Sequence, residues 1–299
     1  MRLDDVRQSE NIEDRRGQGG YSGGGSSGGR GGLGVGMVMV LGLVGYLLGI
    51  DPRILIGGAE MVQGMRGGGQ SASAPEGRAG ASAVNDETGK FVSQILATTE
   101  DVFGKLLPQQ GNVKYRAPKL VLFSGATRSG CGAAQSAMGP FYCPLDEKVY
   151  LDTSFFREMQ QRLGGGGKFA YGYVVAHEVG HHVENVLGIL PKVQEMQQRV
   201  GRREANALSV RVELMADCIA GVWGNVSKEM LNLTEPDVRE AIATAAAIGD
   251  DRLQKQSQGY AVPDSFTHGT SEQRVKWFMQ GFKTADIRQC NTFDRGVTL

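Results

Sequence analysis

The sequence predicts an α+β domain, rich in helix with a small sheet, over residues 85–299. Short β-branched and aromatic stretches at 119–123, 141–143 and 149–152 come first, and segments with apolar residues at helical spacing follow from about residue 168. Glycine supports the boundary: 23 of the 45 lie in the first 80 residues, so the composition becomes globular only after them.

The amino-terminal part divides by composition. Residues 1–32 are charged and then Gly/Ser-rich, with too little apolar surface to offset the entropy of ordering, which reads as a disordered tail. Residues 33–50 carry no charge and as a helix would measure about 27 Å, close to the thickness of a hydrocarbon core. Residues 54–56 extend the run past Asp51-Pro52-Arg53. A cleaved signal peptide fits poorly behind so long a polar lead, although Ala72-Ser73-Ala74 offers a cleavage site. The five glycines of the run argue against a soluble core helix and are tolerated in membranes. The expectation is a single-pass anchor over 33–56 in the plasma or inner membrane, then a flexible linker over 57–84. More arginines precede the run than follow it, which favours an internal amino terminus and a periplasmic or extracellular domain. The 32 basic and 32 acidic residues balance, so no field favours nucleic acid. Oligomeric state is not legible.

Within the domain, a helix is expected over 86–107, a strand over 119–123, a loop holding Cys131, and strands over 141–143 and 149–152. Thr153-Ser154 signals a helix start, and a glycine run at 164–167 separates that helix from the next. Residues 148–151 are a candidate free edge for an extended peptide, with an ordinary core strand as the competing reading.

The chemistry concentrates at His177-Glu178-Val179-Gly180-His181-His182, which holds three of the four histidines and spells HExxH. On a helix, i and i+4 share a face, so His177 and His181 can reach one ion while Glu178 projects beside it. Apolar residues on both sides predict that helix, with Gly188 and Pro191 as terminators. A catalytic zinc keeps three protein ligands and an open place, so a third must come from elsewhere. Glu184 and Leu187 stand where a metzincin would need Gly and His. The best candidate is Glu213, four residues before Asp217 on a helix expected over 192–226, with Asp217 accepting from a ligand histidine. Glu184 and His268 are the rivals, and His182, turned about 100° from His181, reads as a packing or surface residue. His268 precedes a helix that Thr270 and Gln273 would cap, which places it to stabilise an oxyanion. Arg274 is available to orient Glu213, Asp217 or substrate. One Zn²⁺ and a protein or peptide substrate follow from this set.

Cys131, Cys143, Cys218 and Cys290 lack CxxC spacing. Outside the cytoplasm, Cys131 with Cys143 and Cys218 with Cys290 is the simplest of the three connectivities that four cysteines permit.

HEVGHH at 177–182, ELMADCIAGVW at 213–223, HGTSEQRVKWF at 268–278 and CGAAQSAMGPFYCP at 131–144 together resemble the bacterial neutral zinc metallopeptidase family. The opening MRLDDVRQSENIEDRRG is also similar to that family's amino terminus. The resemblance implies a membrane-anchored, zincin-like peptidase of the gluzincin type, with His177, His181 and Glu213 as ligands and Glu178 as base. The order HExxH, ExxxD and His-Gly…Arg is similar to that of the prenyl-protease and heat-shock membrane peptidases, which lends His268 and Arg274 a site role. A zinc-stabilised envelope binding protein, needing the ligands but not Glu178, is the alternative. A structural metal site closed by Glu184 or His268 is a third.

Overall fold

The computed structural model describes residues 1–17, 84, 86–162 and 166–299. The chain opens with strand β1 (Ile12–Asp14) and helix α1 (Glu87–Leu106), whose amino end is capped by the Asp86 side chain accepting from Gly89 N–H. Strands β2 (Lys119–Phe123), β3 (Ala126–Ser129), β4 (Gly132–Gln135), β5 (Phe141–Cys143) and β6 (Lys148–Asp152) follow. The rest is helical: α2 (Phe155–Arg162), α3 (Lys168–Val186), α4 (Ile189–Gln197), α5 (Arg202–Val226), α6 (Glu235–Ala247), α7 (Asp250–Gln258) and α8 (Ser271–Thr284).

Among the described residues the larger sheet runs β1-β2-β6-β5, with β1, β2 and β6 parallel and β5 antiparallel at one edge. Its centre is continuous apolar sequence, Leu120-Val121-Leu122-Phe123 beside Val149-Tyr150-Leu151, as a strand covered on both faces requires. Helix α3 packs against β5 and β6 on one side and against α5 on the other, so the HExxH helix lies at the centre of the molecule. The α5–α8 pair is the closest-packed: a Cβ at Gly281 would lie 1.8 Å from the Cys218 carbonyl oxygen, so only glycine permits that approach. Phe169 stacks on Trp223 at 5.5 Å, and the buried indole N–H donates to Thr98 Oγ1 at 2.9 Å.

Several expectations change. The disordered tail assigned to 1–32 is wrong for 1–17, which is folded into the domain: β1 extends the sheet, Ser9 is buried, and the Gln94 amide donates to the Leu3 and Val6 carbonyls. Composition misled because the charges of this stretch are matched by residues far along the chain. Arg7 pairs with Glu100 and Asp101, Glu13 with Lys148, and Arg16 with Asp86. The remaining tail residues, the anchor at 33–56 and nearly all of the linker at 57–84 lie outside the described residues; Val84 itself is buried in the core. Among the described residues no helix is long and apolar enough to cross a membrane. The helix expected over 192–226 is two, α4 and α5, broken before Gly201, which is extended and starts α5. The loop around Cys131 is the β3–β4 hairpin, built from small residues without apolar alternation. Residues 148–151 are not an edge, because β6 is paired on both sides; the edge nearest α3 is β5. Cys131–Cys143 and Cys218–Cys290 are disulfide-bonded.

Candidate metal centre and active site

Helix α3 presents Tyr173, His177 and His181 on one face at intervals of four. Gly180, beside them, lets α5 approach: a Cβ there would meet the Ala216 carbonyl oxygen at 3.0 Å. That proximity brings Glu213 under both imidazoles. Its Oε2 lies 3.2 Å from His177 Nε2 and its Oε1 3.6 Å from His181 Nε2. Ligands about 2.0–2.1 Å from a tetrahedral zinc are separated by about 3.3 Å, so these spacings suit that ion. Among the described residues His177, His181 and Glu213 form the group able to hold a metal. The donor set, two neutral-capable imidazoles and a carboxylate, has zinc chemistry.

Each imidazole is oriented from behind. His177 Nδ1 faces Asp217 Oδ1 at 2.9 Å, and His181 Nδ1 faces Glu184 Oε2 at 2.9 Å, leaving both Nε2 atoms toward Glu213. Asp217 is fully buried and receives two bonds from Arg274, Nε to Oδ2 and Nη2 to Oδ1, both 2.9 Å, plus one from Tyr173 Oη at 2.5 Å. The arrangement satisfies a buried arginine and a buried carboxylate together, which neither would tolerate alone.

The electrostatics follow. Burial pulls the His177 imidazolium down, but Asp217 and Glu213 outweigh it and hold its pKa up at about 10. Burial works against the Glu213 charge, yet His268, His181 and His177 take its pKa well below the usual carboxylate range. Glu184 goes the other way: burial pushes it up to about 7 against the pull of His181. Neutral imidazoles are needed for ligation, so a metal entering here displaces protons.

The site lies in a cleft of about 340 Å³ lined by Glu178, His268 and Arg274 as well as the three candidate ligands. Glu178 is buried beside the ligand pair. The lining includes Pro140, Tyr142 and Pro144, within and flanking the β5 edge, and Leu190 and Val212. His268 is half exposed; Asp250 accepts its backbone N–H at 2.6 Å and faces Nδ1 at 3.2 Å, which leaves Nε2 for the cleft. The Thr270 cap with Gln273 is present as a full capping box.

The structure thus brings together His177, Glu178, His181, Glu213, Asp217, His268 and Arg274, while the four cysteines lie away from the ligand set in two separate bridges. Glu184 is neither solvated nor in the ligand set but stands behind His181. His182 is packed, between Tyr142 Oη at 3.0 Å and the Arg116 carbonyl at 2.6 Å. Tyr173 and Asp250 were missed. Tyr173 is readable at four residues before His177; nothing in the sequence links Asp250 to His268.

The family model described as "Putative neutral zinc metallopeptidase" matches residues 1–293, and the chain belongs to that family. It is 49% identical to YpfJ of Escherichia coli K12 over 302 aligned residues, 99% of this chain and 100% of that protein. It is 43% identical to Rv2575 of Mycobacterium tuberculosis over 222 residues, 69% of this chain and 72% of that one. Both relatives are described as uncharacterized. No solved structure matches.

Proposed function

We propose that this protein is a zinc-dependent endopeptidase with the zincin-like architecture, in which His177, His181 and Glu213 hold one Zn²⁺ and Glu178 is the general base. The observation that carries this reading is the convergence of both Nε2 atoms on the Glu213 carboxylate at tetrahedral-edge spacing, beside Glu178, in an open cleft. When bound, the ion supplies Lewis acidity, acidifying water and polarising a carbonyl. Glu178 accepts a proton from the water that attacks the peptide carbonyl and delivers it to the departing amine. His268, kept as the imidazolium against burial by Glu213 and Asp250, gives its Nδ1–H to Asp250 and donates from Nε2–H to the oxyanion that develops. Asp217 and Glu184 hold the imidazoles in the tautomer that leaves Nε2 free to ligate.

An extended substrate main chain pairs with the β5 edge, which takes the role assigned from sequence to residues 148–151. Pairing through main chain selects unfolded or extended protein segments with little demand on side chains. The two disulfides support a domain outside the cytoplasm, in an oxidising compartment. A non-catalytic zinc-stabilised binding protein would have no use for Glu178 in the cleft.

The full chain, stripped of metal by chelation and reloaded with one equivalent of zinc, is incubated with an unfolded protein mixture and the products read by mass spectrometry. Cleavage that appears on zinc loading and disappears on removal is expected. Zinc bound at one per chain without cleavage would leave the binding-protein reading instead.

A further inference from the structure

Strand β5 is a sheet edge of three residues, Phe141–Cys143, and an edge that short frays readily when main-chain bonds alone hold it. Here each of its side chains is tied down. Along the pleat, Phe141 and Cys143 face one side of the sheet, where Phe141 stacks on Tyr150 with ring centroids 5.0 Å apart and Cys143 is bonded to Cys131. Tyr142 faces the other side and joins the core that contains α3.

The Tyr142 hydroxyl meets α3 at two residues. His182 Nδ1 stands 3.0 Å from it, and the Asn185 amide donates to it at 3.1 Å. His182 Nε2 lies 2.6 Å from the Arg116 carbonyl oxygen, which can only accept, so Nε2 carries the proton. Burial lowers the pKa of this ring and keeps it neutral, which makes Nδ1 the acceptor for the Tyr142 O–H. Both ring nitrogens are thus used in a side chain with no exposure to solvent. An apolar residue could supply packing at this place but not direction: the two bonds fix α3 against the segment leading into β2 and against the β5 edge. Tyr142 also lines the cleft, and His182 directly follows the candidate ligand His181, so one turn of helix holds both the metal group and the strand.

We propose that His182 is a positioning residue: through the Tyr142 hydroxyl it sets the β5 edge, where an extended substrate pairs, against the metal group on α3. The inference rests on the reading of β5 as the substrate edge given above. His182 acts through Tyr142 and contributes no atom to the ligand group.

The test uses the full chain. Tyr142→Phe deletes one hydroxyl and keeps the ring, and His182→Ala removes the whole bridge. Each is made in the Glu178→Gln background, loaded with zinc, and titrated against fluorescein-labelled casein, an unfolded protein, while hydrogen exchange is followed over residues 138–145. Expected in both variants are a casein Kd raised about 5–10-fold, the weight of one lost hydrogen bond, and one zinc per chain. Exchange over 138–145 should quicken by about tenfold while β2 and β6 keep their protection. With Glu178 restored, KM should rise by more than kcat falls. An unchanged Kd in Tyr142→Phe, exchange quickened evenly across the domain, loss of zinc, or no casein binding by the parent Glu178→Gln chain would each overturn the proposal. Failure of the unmodified chain to cleave casein that its Glu178→Gln form binds would count against the peptidase reading instead, and binding and exchange would still decide the role of His182.

Discussion

The imidazole of His177 and the carboxylate of Asp217 meet at 2.9 Å, and the same carboxylate carries both bonds from Arg274. One buried acid therefore orients a candidate ligand and neutralises a buried arginine. Asp217→Ala leaves Arg274 unpaired in the interior, an expected loss of about 3–5 kcal/mol in urea unfolding. Asp217→Asn is milder in fold and should weaken zinc by roughly 10–100-fold in chelator competition, because the amide no longer fixes the His177 tautomer.

Glu184 sets a pH dependence in the metal-free protein. Its pKa is raised by burial to about 7, so the folded state keeps the proton longer than the unfolded chain does. The resulting stability is fully present below about pH 4.5 and is lost as pH rises through 7, amounting at most to about 3 kcal/mol. Glu184→Gln should flatten the denaturation midpoint between those values. An unchanged slope in the variant would show that other groups govern the window.

His268 is expected to act on turnover and not on metal. Its ring is fixed by Asp250, and it contributes no atom to the ligand group. His268→Ala should lower kcat by about 10²–10³-fold with zinc content unchanged, the size of effect that follows loss of one oxyanion donor. Asp250→Asn should lower kcat less, through looser positioning. Loss of zinc in His268→Ala would move that residue into the ligand set.

The disulfides differ in what they close. Cys218–Cys290 ties α5 to the carboxy-terminal segment across 72 residues, and Cys131–Cys143 ties the β3–β4 hairpin to β5 across 12. By loop-closure entropy, replacing Cys218 and Cys290 with alanine should cost about 4 kcal/mol and replacing the shorter pair about 3 kcal/mol. Both differences are measurable as denaturant midpoints of the full chain.

The candidate metal group was more legible than the scaffold that holds it. HExxH and ExxxD encode their geometry locally, since four residues return a helix to the same face, so His177 could be paired with His181 and Glu213 with Asp217 before any fold was known, while the packing of the two helices joins the pairs. Strands β2, β5 and β6 announced themselves by apolar and aromatic runs. What stayed hidden depends on distant partners. Residues 1–17 look like a solvated tail until Glu100, Lys148 and Asp86 are placed beside them. Glu184 looks like a surface acid until burial and His181 give it a task. The sheet order that makes β5 the edge, and β6 an interior strand, is a property of pairing and is absent from any one segment.

The most direct measurement is the zinc content and peptide-bond cleavage rate of Glu178→Gln beside the unmodified chain. Because Glu178 lines the cleft but is outside the ligand group, the variant should keep one zinc per chain while turnover falls by about 10²–10⁴-fold, the contribution of a positioned general base. Cleavage undiminished in a zinc-loaded Glu178→Gln protein would contradict the account.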